Sequence, residues 1–191
     1  MKPSIAEFHG CGPALGMLEI DRVAAGYASA DRVAKVAPVD LLLATAVTPG
    51  KFLVLFCGDV AAVASSLQAG EAGIEGMILD RLFLPQAHPS LGRAVGETQI
   101  PAIRDAVGIV EAARVSTLLC AADAAAKTGE VELLCIRLAI RLGGKAYFVV
   151  GGEVAQVTSA VMRAADLCTT RGHHVDHVVI PRPHPSLWEQ L

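Results

Sequence analysis

Histidines and an acidic residue cluster near the end of the chain, in the run His173-His174-Val175-Asp176-His177. Imidazole and carboxylate groups are side chains that zinc and other transition metals accept as ligands. The run lies where a strand begins, however, and successive side chains of a strand point to opposite faces of the sheet. We therefore expect the members of this run to be separated, and we expect no metal site.

The other residues with chemical potential are five cysteines, Cys11, Cys57, Cys120, Cys135 and Cys168. Their number is odd, and no two of them form a CxxC pair. Most of them lie in apolar segments, where cysteine behaves as a small hydrophobic residue. The sequence thus predicts neither a disulfide framework nor a zinc site.

No pattern in the sequence predicts a catalytic centre. The glycines around Gly10-Cys11-Gly12 have the wrong spacing for a nucleotide-binding loop, and they precede a strand instead of following one. No serine, cysteine, histidine or carboxylate group follows a nucleophile-elbow or HExxH pattern. We therefore expect no catalytic residues, no cofactor and no enzymatic activity.

The composition excludes several classes of protein. The chain has 191 residues, a net charge of -3 and 4% aromatic residues, with no basic block that would bind nucleic acid. No apolar run approaches the roughly 18 residues of a membrane-spanning helix. The N-terminus lacks the apolar core of a signal peptide, so the sequence predicts a cytoplasmic protein. Hydrophobic residues make up 53% of the chain, and this surplus predicts extensive subunit contacts.

An internal repeat organises the chain. The segment from Val39 to Val60 predicts two buried strands joined by a turn, with Pro49 and Gly50 at the turn positions that suit them. Residues 131–154 repeat this pattern, and Gly50-Lys51 aligns with Gly144-Lys145 at an offset of 94. The chain therefore contains two copies of one unit.

Each copy is expected to contain the elements β-α-β-β-α-β. Strands are expected at Ala14 to Ile20 and at Ala106 to Glu111, where the two copies begin. The first helix is expected from about Val23 to Ala37, with a buried face formed by Val23, Tyr27, Ala30 and Ala34. The order of elements predicts an α+β fold with two tandem ferredoxin-like units. The expected segments are a leader at 1–13, the first repeat at 14–91, a linker at 92–105 and the second repeat at 106–191.

The motifs of both copies resemble those of the tandem-domain shell proteins of bacterial microcompartments, the BMC family. In order along the chain they are ALGMLE, an ADxxxK pattern in the first helix, PGKF and GGKAYF at the turns, GDV or GEV at the second helices, and VIPRPH. The resemblance covers residues 14–191. Because each copy begins at its first strand, the chain is similar to the non-permuted type found in propanediol-utilisation compartments.

This resemblance implies a structural protein whose role is assembly. Tandem members of the family form homotrimers with pseudo-sixfold symmetry, which tile into a shell with hexamers and pentamers and enclose enzymes. Small molecules would cross through a central pore lined by the two turns. The implied pore residues are Thr48, Pro49 and Gly50 in the first copy and Arg141, Leu142, Gly143 and Gly144 in the second.

One position departs from the propanediol-utilisation type. There, a cysteine directly before the Pro-Gly-Lys turn holds an iron–sulfur cluster in the pore, whereas this chain has Thr48. A hydroxyl does not replace the thiolate ligand that such a cluster requires. We therefore expect no cluster. Arg141 would instead place positive charge at the pore mouth and attract anions.

The resemblance also implies an assembly edge formed by Lys35, Lys127 and Arg182. In the family the lysine lies against its counterpart on the next tile, and the arginine of the PRPH motif reaches across the seam. Gln86 stands at the equivalent position of the first copy, so the edge is expected to be asymmetric. Two alternatives to a shell tile remain open, namely a redox protein that transfers electrons at the pore and a regulatory trimer that binds ligands between subunits.

Overall fold

A computed structural model of the protein describes residues 11–139 and 142–191. The chain divides into two compact units, residues 1–92 and residues 93–191. Each unit contains one four-stranded antiparallel sheet with helices, which is the ferredoxin-like α+β arrangement that the order of elements predicts. Within the described residues no helix is long and apolar enough to span a membrane.

The two units contain equivalent elements in the same order. The first unit contains β1 (Ala14–Ile20), α1 (Val23–Val36), β2 (Val39–Val47), β3 (Lys51–Gly58), α2 (Val60–Glu71) and β4 (Ile78–Leu84). A short helix, α3 (Ser90–Gly96), lies in the connection between the repeats. The second unit contains β5 (Ala106–Ala112), α4 (Val115–Thr128), β6 (Glu132–Leu138), β7 (Ala146–Gly152), α5 (Val154–Thr170), β8 (His174–Pro181) and α6 (Pro185–Trp188). The strand orders are β2-β3-β1-β4 and β6-β7-β5-β8.

The buried face of α1 differs from the predicted one. The residues that it buries are Gly26, Ser29, Ala30 and Val33. Tyr27 and Ala34, from the predicted face, are exposed. Gly26 leaves room for the Phe52 ring, which a Cβ at this position would overlap, and the Ser29 hydroxyl donates to the Gly70 carbonyl oxygen over 2.8 Å. Because glycine and serine form this interface, a search for apolar periodicity misses it.

A disulfide joins Cys11 to Cys57, so the expectation of no disulfide is wrong. Cys57 lies near the end of β3, opposite Leu15 of β1, and Cys11 lies shortly before β1 begins. The antiparallel pairing of β1 with β3 thus brings together two cysteines that are 46 positions apart. The free cysteines in the described residues are all buried, and they are Cys120, Cys135 and Cys168.

Candidate functional site

The turn between β2 and β3 is a tight hairpin. Val47 at the end of β2 pairs with Lys51 at the start of β3, and the Gly50 N–H donates to the Val47 carbonyl oxygen over 2.9 Å. Gly50 has a φ of +95°, in the left-handed region that favours glycine, and the peptide bond between Thr48 and Pro49 is cis. The three turn residues are exposed to solvent. The implied pore residues of the first copy therefore share one exposed turn.

The equivalent turn of the second unit is longer. It occupies residues 139–145, whereas the turn of the first unit occupies residues 48–50. The Lys145 N–H donates to the Leu142 carbonyl oxygen over 3.1 Å, and the φ angles of Gly143 and Gly144 are +62° and +88°. Arg141, the remaining implied pore residue of this turn, lies outside the described residues. The two turns therefore differ in length while both rely on glycine at positive φ.

A lysine follows the first turn and another ends the second, and each forms an ion pair with a glutamate on a nearby strand of its sheet. The Lys51 Nζ lies 2.9 Å from the Glu19 Oε1 of β1, and the Lys145 Nζ lies 3.1 Å from the Glu111 Oε1 of β5. The Glu19 side chain is only 5% exposed, and the Lys51 ammonium is the cation that lies against its carboxylate. Neither glutamate is among the site residues expected from the sequence. The sequence does contain a signal for them, namely an acidic residue that interrupts an apolar strand at the same place in both repeats.

Two of the three implied edge residues occupy equivalent places on α1 and α4. Lys35 and Lys127 lie in the last turn of their helices, where a cation interacts favourably with the helix dipole. Each Nζ lies 2.7 Å from an aspartate one turn earlier, Asp31 for Lys35 and Asp123 for Lys127. The lysine side chains are 73% and 44% exposed, respectively. Each lysine is therefore held at the helix end while its side chain stays accessible.

Arg182, the third implied edge residue, has an unusual backbone conformation. Its φ is +46°, a left-handed value that is uncommon for a residue other than glycine. The Arg182 N–H donates to the Asp105 carbonyl oxygen over 2.6 Å, and the Asp105 side chain accepts from the N–H of Val154 at the start of α5. The backbone at Arg182 is thus hydrogen-bonded to the residue just before β5, and the Arg182 side chain is exposed.

The free thiols are poorly suited to nucleophilic or metal chemistry. Burial raises the pKa of the Cys168 thiol to about 11, and burial also raises the pKa of the Cys135 thiol above its usual value. The thiolate is the form that attacks electrophiles and binds metals. In the described part of the chain, no group of three or more His, Cys, Asp or Glu side chains could hold a metal ion.

The histidine run does not keep the strand alternation that the sequence predicts. The register of β8 against β5 shifts between the partners of Glu111 and Ala112. The side chains of His174 and His177 are in contact as a result, so the expectation that they are separated is wrong. The Nδ1 of His173 lies 2.8 Å from the Thr117 hydroxyl oxygen. The two imidazole rings are therefore close enough to act as a pair.

Comparison with known proteins gives consistent matches for both units. A BMC domain matches residues 14–87 and again residues 106–183. The bacterial microcompartment shell protein PduT of Citrobacter freundii is 40% identical over 178 residues, which is 93% of this chain and 97% of that protein. The shell protein EutK of Salmonella typhimurium is 34% identical over 88 residues, which is 45% of this chain and 49% of that protein.

Solved structures give the same result. A microcompartment protein from Desulfitobacterium hafniense, known from its crystal structure, is 43% identical and superposes with a TM-score of 0.88, over 92% of this chain and 98% of its own. The fused permuted hexameric shell protein of the RMM microcompartment is 17% identical, with a TM-score of 0.58 over 82% of this chain and 81% of its own, and shares the fold. The chain therefore belongs to the BMC-domain family of bacterial microcompartment shell proteins, with two domains of that family in tandem.

Proposed function

We propose that the protein is a homotrimeric tile of a cytoplasmic microcompartment shell, with three chains forming a pseudo-sixfold ring around a pore. Family membership favours this structural role over the redox and ligand-binding alternatives. Two units of one fold per chain give six similar wedges when three chains close into a ring. The partners of the tile are single-domain hexamers and pentamers of the same shell, which together enclose the enzymes.

The observation that carries the trimer is the unequal burial of equivalent surfaces in the two units. Nearly all residues of α4 between Val115 and Ala126 are buried, and most of β6 is buried as well. The equivalent elements of the first unit, α1 and β2, are largely exposed or half-buried. Large apolar side chains are exposed on these two elements, and they are Tyr27 (61%), Val36 (52%) and Leu41 (40%).

An exposed apolar surface of this kind is characteristic of an interface. Since the same part of the fold is buried in the second unit, we assign the surface of α1 and β2 to a contact with a neighbouring copy of the chain. A contact between different surfaces of identical chains is head-to-tail, and it closes into a ring when the rotation per chain divides a full turn. Three chains satisfy this condition with a rotation of about 120° per chain.

Light scattering tests the proposal. The chain has a mass of 19.8 kDa, so the trimer is expected at three times this value, about 59 kDa. A Val36→Glu, Leu41→Glu double variant places charge in the assigned interface and is expected to be a folded monomer. Met162→Glu is the matched control, because Met162 is 55% exposed on α5, and this variant is expected to remain a trimer. A monomeric wild-type protein, or a double variant that is still trimeric, would overturn the proposal.

In this ring the turns at residues 48–50 and 139–145 line the pore. Thr48 offers a hydroxyl in place of a thiolate, which suits the passage of small polar molecules and not the binding of an iron–sulfur cluster. Arg141 adds a positive charge that attracts anions to the opening. The outer edge carries Lys35, Lys127 and Arg182, whose exposed side chains are available to a neighbouring tile.

A further inference from the structure

The same irregularity interrupts the outer strand of both sheets. In the second unit Glu111 pairs with Asp176 while the next residue of β5 pairs with His174, so that Val175 is an extra residue in β8. In the first unit Glu19 pairs with Asp80 while the next residue of β1 pairs with Ile78, which leaves an extra residue at the same place in β4. Each strand therefore contains a β-bulge, a feature that turns the side chains near it.

In the second unit the bulge brings two imidazole rings together. Residues three apart in a regular strand point to opposite faces of the sheet. Here the His174 Nε2 lies 2.9 Å from the His177 Nδ1, and the ring centroids are 5.0 Å apart with an interplanar angle of 67°. Both side chains are half-buried, so solvent reaches them. One nitrogen donates its hydrogen and the other accepts it, which requires at least one neutral imidazole.

We infer that His174 and His177 form a bidentate site for a divalent transition-metal ion, with Cu(II) and Ni(II) preferred over Zn(II). Metal–imidazole bonds are about 2.0–2.1 Å long, so two ligands at a right angle have their nitrogens about 2.9 Å apart. Tetrahedral zinc requires a separation of about 3.3 Å. The observed separation of 2.9 Å thus matches the separation that tetragonal Cu(II) and Ni(II) require.

Binding requires a change of tautomer and a rotation of the imidazole rings. The hydrogen shared between the rings moves to the outer nitrogen of His174 or His177, and the two freed lone pairs tilt toward the ion. No redox step and no further reactant is involved. Because β8 is an edge strand of its sheet, water or a donor from another molecule can fill the remaining coordination positions.

The described residues bring no third His, Cys, Asp or Glu side chain into a group with this pair that could hold a metal ion, so the site has two protein ligands. The His173 Nδ1 lies 2.8 Å from the Thr117 hydroxyl oxygen. The Asp176 carboxylate accepts from the His177 backbone N–H over 2.8 Å. A site with two ligands is expected to bind reversibly and to be selective by the Irving–Williams order, with Cu(II) bound more tightly than Ni(II).

The first unit supplies a natural control for the role of the bulge. It has the same bulge, but Ile78 stands where the second unit has His174, and Arg81 stands where it has His177. Neither of these side chains is a ligand for Cu(II) or Ni(II) under ordinary conditions. The inference therefore predicts one ion per chain and not one per unit.

The test is isothermal titration calorimetry of the full chain, without an affinity tag, against NiCl2 and CuCl2. One ion is expected per chain, and His174→Gln or His177→Gln is expected to weaken binding at least about tenfold, because a chelating second ligand is lost. His173→Gln is the matched control and is expected to bind like the wild type. Electron paramagnetic resonance of the Cu(II) complex is expected to show coupling to nitrogen in the wild type.

Two results would overturn the inference. The first is binding of equal strength in the wild type and in both single variants, which would place the ion elsewhere. The second is the absence of stoichiometric binding in a wild-type protein that circular dichroism shows to be folded. Circular dichroism of the His174→Gln and His177→Gln variants separates loss of a ligand from loss of the fold, since a variant that keeps the wild-type spectrum and binds as tightly as the wild type contradicts the site.

Discussion

Reduction of the Cys11–Cys57 disulfide is expected to destabilise the first unit selectively. A cross-link that spans 46 positions restricts the unfolded chain by an entropy worth about 4 kcal/mol at room temperature, and measured values for such links are typically about 2–4 kcal/mol. The second unit has Gly151 where the first has Cys57, so no equivalent link exists there. The equivalent strands β3 and β7 therefore differ in that a disulfide anchors only the first of the two.

Hydrogen exchange with mass spectrometry measures the effect strand by strand. The protein is compared with and without a reductant at one fixed concentration, and alkylation with a thiol reagent confirms the state of Cys11 and Cys57. We expect exchange protection of β1 and β3 to fall by about 30- to 10³-fold on reduction, since each 1.4 kcal/mol corresponds to about tenfold. Protection of the equivalent strands β5 and β7 is expected to change much less.

Two results contradict this prediction. In the first, β1 and β3 keep their exchange protection after complete reduction. In the second, β5 and β7 lose as much exchange protection as β1 and β3 lose. Cys11→Ala is the second arm, because it removes the link without placing a hydroxyl at the buried Cys57 position. This variant is expected to behave like the reduced wild type and to show no response to reductant. Reducing cell compartments keep cysteine thiols reduced, so the disulfide-bonded and the reduced protein are both to be characterised.

Three further predictions concern the edge, the pore and the ion pairs. Arg182→Ala is expected to give a stable trimer that is no longer incorporated into shells when it is co-expressed with a hexamer partner and the particles are viewed by electron microscopy. The control variant Gln86→Ala is expected to be incorporated normally. Equal incorporation of the two variants contradicts the edge assignment. Anaerobic reconstitution with iron and sulfide is expected to leave the wild-type protein colourless. The Thr48→Cys variant is expected to gain visible absorbance under the same conditions. A brown wild-type protein with stoichiometric iron contradicts the pore assignment. Lys51→Met is expected to lower the free energy of unfolding by about 1–3 kcal/mol in urea titrations, because it leaves a buried glutamate without its partner. Lys145→Met is expected to cost less than about 1 kcal/mol because its glutamate is 34% exposed, and equal losses would show that burial does not govern these pairs.

The repeat and its hairpins could be predicted from the sequence because the signals are local. Pro49 and Gly50 occupy turn positions that few residues fill, and their recurrence at a fixed offset identifies the second copy. The order of elements then leaves the ferredoxin-like fold as the natural arrangement. For the candidate site, the sequence predicts correctly that Gly50 and Gly144 lie in turns.

The features that the sequence could not predict depend on contacts between distant segments. The pairing of Cys11 with Cys57 follows from the register of β1 against β3, which no local pattern contains. The contact between His174 and His177 follows from a bulge that breaks the two-residue period. The buried face of α1 was misjudged because glycine and serine carry no apolar signal while they allow close packing.

The paired glutamate and lysine of each unit show what a tandem chain keeps equal and what it lets differ. Glu19–Lys51 and Glu111–Lys145 occupy equivalent positions, and so do the two bulges, so these features belong to the fold that both units share. Within the described residues, the disulfide lies in the first unit and the histidine pair in the second. A tandem chain can thus carry a feature in one half alone, whereas in an assembly of six identical single-domain chains every substitution appears six times.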